Sequence, residues 1–267
     1  MKFIPVKERE NSYNLTGSTL ILPAISIGNV PQLTVDLLIT TLNLQRIGFL
    51  EDENVIPVIG FNEHLTRGIT VAIEVYQSDN NKWTVIQQRA PVIKKRWHIF
   101  AENILAFIKQ SQFSKVVLLS SADATRRTDI QLTGLPLRIL TTPSLPNDLF
   151  ERATILGLKT LEKTSNNDYD LKHDDDTKQD DLPKIPGGGV SRFLFHKSQQ
   201  GNIPLIMIIF FAIEGDNTQD AFLLANYTNS LLNLLPQQQE ISITEFWKTP
   251  ASWNYLFGKP YEQELYQ

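Results

Sequence analysis

Apolar residues fall along this chain in two alternating patterns. Apolar, β-rich runs that read as strands occur as "STLILPAISIGN" (18–29), "KVVLLSS" (115–121), "LRILTT" (137–142) and "IPLIMIIFFAI" (203–213), and the nearly all-apolar "KVVLLSS" is of the kind a strand covered on both faces requires. The first predicts a strand that ends at Gly28-Asn29. Between these runs the apolar positions recur at helical spacing. Leu33, Leu37, Leu38, Thr41 and Leu42 predict an amphipathic helix over 31–44, with Pro31 in the first turn, where its missing N–H costs nothing. Trp97, Phe100, Ala101, Ile104, Leu105 and Ile108 mark a second helix, and residues 147–163 a third. Ala221, Leu224, Ala225, Thr228, Leu231, Leu232 and Leu235 mark a fourth. Asn217, with Asp220 three residues later, reads as its cap.

Shorter apolar stretches, "IGFL" (47–50) and "VIPVIG" (55–60), are further strand candidates. "ITVAIEVYQ" and "KWTVIQQRA" flank the polar Ser78-Asp79-Asn80-Asn81, which is a hairpin signal. The order strand, helix, hairpin, helix, strand, helix, strand, helix predicts one α/β domain, with a mostly parallel central sheet between helix layers. Both patterns fail between 164 and 183. "TSNNDYDLKHDDDTKQDD" is polar, acidic and almost free of apolar side chains, so it cannot offset its ordering entropy. It reads as a mobile acidic insertion, a solvated loop rather than a partner-binding tail. "IPGGGVSRFLF" then leads into a helix or strand start, and the aromatic "FWKTPASWNYLFG" closes the domain near Gly258. Residues 259–267 are left as a C-terminal tail, and the folded domain is expected over 1–258.

Composition narrows the function classes. An apolar share of 42% over 267 residues is ample for a core, and the net charge of -4 gives no reason to expect nucleic acid. Lys94-Lys95-Arg96 is the one short basic cluster, and beside a helix pattern it reads as a solvated helix start. The absence of cysteine removes disulfides, thiolate metal sites and a thiol nucleophile, and fits a reducing compartment. The N-terminal residues lack the apolar stretch of a signal peptide. Ile203 to Ile213 is too short to span a bilayer. The expectation is a soluble intracellular protein without a membrane partner.

Candidate chemistry is sparse. Gly187-Gly188-Gly189 lacks the Lys-Ser/Thr of a phosphate loop, so it reads as a mobile turn. "EGDN" (214–217) stands at the carboxyl end of an apolar strand, where open α/β sheets bind ligands. Glu214 and Asp216 could there serve as acid and base, with Ser120 lining the pocket of a small-molecule hydrolase or transferase. The competing reading makes Asp216 a helix cap. Ser120-Ser121-Ala122-Asp123 also ends a strand but lacks the nucleophile elbow. His64, His98, His173 and His196 show no metal-ligand spacing. No catalytic, cofactor or metal site is expected.

Six segments taken in order carry a resemblance: "LPAISIGNVPQLTVDLLITTLNL" (22–44), "QQRAPV" (87–92), "VVLLSS" (116–121), "IPGGG" (185–189), "EGDN" and "PASWNYLFG" (250–258). Together they resemble the proteasome assembly chaperone 2 family. The resemblance implies a non-enzymatic chaperone, cytoplasmic and nuclear, with a nucleoside-phosphorylase-like α/β fold. It implies pairing with proteasome assembly chaperone 1, and a heterodimer seated on the outer face of the α-subunit ring of the 20S core particle. There the pair promotes correct α-ring formation and prevents aberrant ring association. It also gives Leu265, Tyr266 and Gln267 a role, because an apolar-Tyr-X ending is the form that enters pockets between α subunits. A tyrosine ring buries area while its phenol keeps a hydrogen-bond partner.

Overall fold

A strand apolar on both sides has to be covered on both sides, and this requirement organises the molecule. The computed structural model describes residues 1–6, 13–62, 68–163, 182–235 and 246–255. Its strands are β1 (Lys2–Pro5), β2 (Thr19–Pro23), β3 (Gln45–Glu51), β4 (Ile59–Asn62), β5 (Gly68–Val71), β6 (Ile73–Gln77), β7 (Trp83–Gln88), β8 (Lys115–Asp123), β9 (Leu137–Thr141), β10 (Lys159–Thr160) and β11 (Leu205–Ala212). Its helices are α1 (Val30–Thr41), α2 (Trp97–Gln110), α3 (Asp129–Leu132), α4 (Asn147–Ile155), α5 (Ser191–Gln200) and α6 (Thr218–Leu232).

Nine strands form one sheet in the order β1-β3-β6-β7-β2-β8-β11-β9-β10. The central strands β7, β2, β8 and β11 run parallel, as the strand–helix alternation predicts. Antiparallel pairs flank them: β6 on β7, β3 on β6, β1 on β3, and β9 on β11. Side chains alternate across the central strands. Leu205, Met207, Ile209 and Phe211 of β11 join one core with Phe100, Ile104 and Ile108 of α2 and Leu194 of α5. Ile206, Ile208 and Phe210 join the other with Val35 and Leu38 of α1, Leu149 of α4 and Leu224 of α6. The helices therefore form two layers, α2 and α5 on one face, α1, α4 and α6 on the other.

Several boundaries move for local reasons. The strand expected over 18–29 ends at Pro23, and Ile27–Asn29 form a 3-10 turn in which Gly28 takes φ +70°. "VIPVIG" contributes only Ile59 and Gly60 to a strand, because Pro57 has no N–H to give a ladder. "ITVAIEVYQ" is interrupted at Ala72: β5 pairs with β4 in a separate two-stranded sheet, and β6 joins the main one. The hairpin β6–β7 around Ser78–Asn81 is present as expected. The helix expected over 147–163 stops at Ile155. Gly157, at φ +77°, takes the left-handed position that ends a helix, and Lys159–Thr160 then pair with β9. After the glycines the chain takes the helical alternative, as α5. The acidic insertion at 164–181 lies outside the described residues. Leu182 packs against the core and Pro183 is buried, so these two belong with the folded body.

Candidate functional site

Parallel strands deliver their carboxyl ends to one edge of a sheet, and here three loops meet at that edge. They are residues 24–29 after β2, the turn Ile185–Gly189 before α5, and Ile213–Asn217 after β11. Ser26 ties the first loop to the end of β8. Its hydroxyl lies 2.8 Å from that of Ser121 and accepts the Ser121 N–H at 2.9 Å. The Ser121 hydroxyl also donates to the Ile27 carbonyl. The glycine turn is bound to both neighbours, with Ile27 N–H donating to Gly187 O and Asp123 N–H to Pro186 O, each at 2.8 Å. The mobile turn expected of these glycines is instead a turn held on both sides by backbone hydrogen bonds. A Cβ on Gly189 would stand 2.0 Å from the Ile25 carbonyl oxygen.

Gly28 makes the second close approach. A Cβ there would lie 2.7 Å from Asn217 Nδ2 and 3.0 Å from Ile213 O. Asn217 in turn donates from Nδ2 to Ile213 O and Gly215 O, both at 3.0 Å. The structure thus sets Gly28 of the 22–44 segment against Asn217 of "EGDN", two of the six segments that carry the resemblance. Nothing in their spacing, more than 180 residues apart, announces that contact.

The acid–base reading of this edge does not assemble. Asp216 Oδ1 accepts from Thr218 N–H at 3.0 Å and from the Thr218 hydroxyl at 2.8 Å, so it closes the first turn of α6. The side-chain cap expected from Asn217 and Asp220 is not made: Asn217 holds the cap position with its amide turned back into its own loop, and Asp216 satisfies the first helical N–H instead. Asp123 repeats the device on Thr125 at the end of β8. Burial, and next the charge of Asp216, raise the pKa of Asp220. Glu214 is exposed, while Ser120 is fully buried and only grazes the Ser121 carbonyl at 3.4 Å. His98 lies edge-on to Phe193 at 4.5 Å, and His196 beside Gln200. His64 and His173 fall outside the described residues. Among the described residues no group of His, Asp and Glu is placed to hold a metal ion, and no helix is long and apolar enough to cross a membrane. Asp216→Ala is expected to lower stability by about 0.5–2 kcal/mol, the cost of a lost helix cap. Urea unfolding measures it, and an unchanged midpoint would count against the cap.

The closing aromatic segment packs across α1 and α6. Trp247 Nε1–H donates to Asn226 Oδ1 at 2.7 Å, and Lys248 N–H to Thr41 Oγ1 at 2.9 Å. Trp253 meets Phe222 edge-on at 6.1 Å, with its Nε1 3.4 Å from Asp36 Oδ2. Asp36 is itself held by Arg89 at 3.1 Å, and Arg89 and Arg46 share the fully buried Glu74. Burial is the first cause, and Glu74 the second, that hold the neighbouring Tyr76 phenol far above its ordinary range. Leu265, Tyr266 and Gln267 lie outside the described residues.

A sequence profile of the PAC2 family matches residues 20–209. Proteasome assembly chaperone 2 of Danio rerio is 39% identical over 247 residues, covering 91% of this chain and 92% of that one. The Homo sapiens protein of the same name is 34% identical over 263 residues, covering 96% and 97%. Among solved structures, Pyrococcus furiosus PbaA, an archaeal homolog of proteasome-assembly chaperone, superposes with a TM-score of 0.60 at 15% identity, covering 85% of this chain and 86% of that one. P. furiosus PbaB, an archaeal proteasome activator, gives 0.60 at 13% identity, covering 92% of each chain. At that identity the two structures bear on the fold alone.

Proposed function

The chain belongs to the PAC2 family, and from that premise we propose that it is a chaperone for assembly of the 20S proteasome. It pairs with proteasome assembly chaperone 1, and the heterodimer sits on the outer face of the α-subunit ring. There it promotes correct ring formation and prevents aberrant ring association. It works in the cytoplasm and nucleus, and Leu265, Tyr266 and Gln267 are its contact with the ring. The family is non-enzymatic, so no turnover is assigned to the 214–217 turn.

One observation carries the reading. Identity of 34–39% holds over nine-tenths or more of both chains, with relatives that share a single name. At the strand-end edge the hydroxyls of Ser26 and Ser121 and the side chains of Asp123, Asp216 and Asn217 are engaged in loop geometry, which leaves no assembled acid–base pair there. The test is affinity purification of the tagged chain under gentle conditions, followed by mass spectrometry. The expected result is recovery of α-type proteasome subunits together with one paralogous chaperone. A preparation free of proteasome subunits would overturn the reading.

A further inference from the structure

Six of the thirteen large apolar side chains exposed among the described residues gather on one edge. β3 runs parallel to β7 through the antiparallel β6, so the segment after β3 emerges at the same edge as the ends of the central strands. Ile56, Val58 and Ile59 follow β3, Ile69 lies on β5, and Ile93 and Trp97 follow β7; all six are exposed. They form one strip. Val55 bridges to Val92, Ile56 N–H donates to Pro91 O at 3.1 Å, and Ile93 N–H to Asn54 O at 2.8 Å. Ile59 pairs with Val71, and Ile69 with the residue two along from Ile59, so Ile59 and Ile69 share a face of the β4–β5 sheet. Ile59 is 73% exposed. A two-stranded sheet standing alone is marginal in water, and an apolar strip of this kind marks a contact surface. Arg46, held by buried Glu74, donates to Ile69 O at 2.6 Å and anchors the hairpin to the body.

From this strip we infer the docking site for the partner chaperone subunit; the assignment rests on the pairing proposed above. Two observations choose this occupant. The first is charge. Residues 54–60, 68–73 and 90–99 contain no carboxylate, while Lys94, Lys95 and Arg96 are exposed between Ile93 and Trp97. Glu51, Asp52 and Glu53 flank one end only, and Asp52 is engaged there by the Met1 amino group and Asn103. A second copy of this chain would bring the same three cations to the same surface, because a two-fold contact sets a patch against itself. The complementary surface is apolar at its centre and acidic on its rim, which is a different protein. The second is position. Val55, Val92 and Ala72 belong to the core on the α2 side, whereas Trp247 and Trp253 of the C-terminal segment pack on the α1 and α6 side. A subunit docked on the strip leaves the last described residues clear, on the other helix layer, for contact with a ring.

The test uses the full chain and recombinant proteasome assembly chaperone 1, with affinity measured by biolayer interferometry. Ile59→Glu and Ile69→Glu are each expected to weaken pairing at least tenfold with an unchanged melting temperature, since both side chains are exposed. Lys95→Glu with Arg96→Glu is expected to slow association and flatten its dependence on salt. Ile155→Glu, at an 85% exposed position of α4 off the strip, should bind as wild type. Equal binding by wild type and all strip variants would overturn the docking site and leave the pairing standing. Self-association of wild type that Ile59→Glu abolishes, with pairing intact, would assign the strip to a second copy. Capture by phosphatidylserine vesicles that the same variant abolishes, with pairing intact, would assign it to a membrane. A wild-type chain that does not pair at all would overturn the pairing, and the docking site with it.

Discussion

Gly189→Ala is expected to lower folding stability by about 2–5 kcal/mol, a large share of the roughly 5–15 kcal/mol that holds a domain together. Two costs add. At φ +58° an L-residue sits in the left-handed region, at about 1–2 kcal/mol. The new methyl would also stand 2.0 Å from the Ile25 carbonyl oxygen, and a backbone atom has no rotamer by which to leave. One loop must move. The glycine turn is held by the bonds from Ile27 to Gly187 and from Asp123 to Pro186, and the other loop by the pair Ser26–Ser121. Gly134→Ala serves as the reference: its φ is +86°, and a Cβ there meets nothing within 4 Å, so it carries the conformational cost alone. Urea unfolding of both variants isolates the close approach. Equal losses would mean that the loops yield, and that the interlock of the three strand-end segments is not rigid.

What the sequence made legible follows from how fully each element is covered. β8 and β11 are buried on both faces and read as unbroken apolar runs, and α2 and α6 carry clean apolar stripes. β1 and β10 escape notice because an edge strand needs little apolar surface: Lys2–Pro5 alternate exposed and half-buried, and Lys159–Thr160 are exposed. The direction of β9 was not legible either, since alternation of side chains is the same for both senses of pairing. α3 is a single turn at whose start the Thr128 N–H donates to Gln131 Oε1, with too few residues to show a period. The candidate site divides in the same way. "EGDN" was visible as a strand-end turn, and Asp216 as its cap. The contact between Gly28 and Asn217 was not, because a close approach of two backbones leaves only a glycine in the sequence. The docking strip was missed for a related reason. "VIPVIG" reads as a short strand, and only the structure shows that Val55 is buried while Ile56, Val58 and Ile59 are exposed.

Tyr266→Ala is expected to weaken binding to isolated α-rings at least tenfold, and removal of Leu265, Tyr266 and Gln267 about a hundredfold. An anchoring aromatic in a desolvated pocket contributes about 2 kcal/mol or more, and each 1.4 kcal/mol is a factor of ten. Leu265 adds apolar burial, and a carboxylate on Gln267 paired with a pocket lysine adds a charge-assisted hydrogen bond. Neither change should disturb the fold. The closing segment is secured before it, by Trp247 on Asn226, Lys248 on Thr41 and Trp253 on Phe222. Ten residues lie between Tyr255 and Tyr266, and at full extension such a tether reaches at most about 35 Å. That is the reach the tail has for a neighbouring subunit. It also makes the tail's contribution separable from that of the strip on the α2 side, since Tyr266→Ala should leave pairing with the partner chaperone unchanged. A form extended beyond Gln267 separates the side chains from the carboxylate: a loss equal to that of the deletion makes the carboxylate essential, and a loss smaller than that of Tyr266→Ala puts the weight on the ring. The measurement is affinity for isolated α-rings, for the wild type and the three altered forms, each paired with its partner. Four equal affinities would remove the tail from the ring contact and leave the domain surface to make it alone.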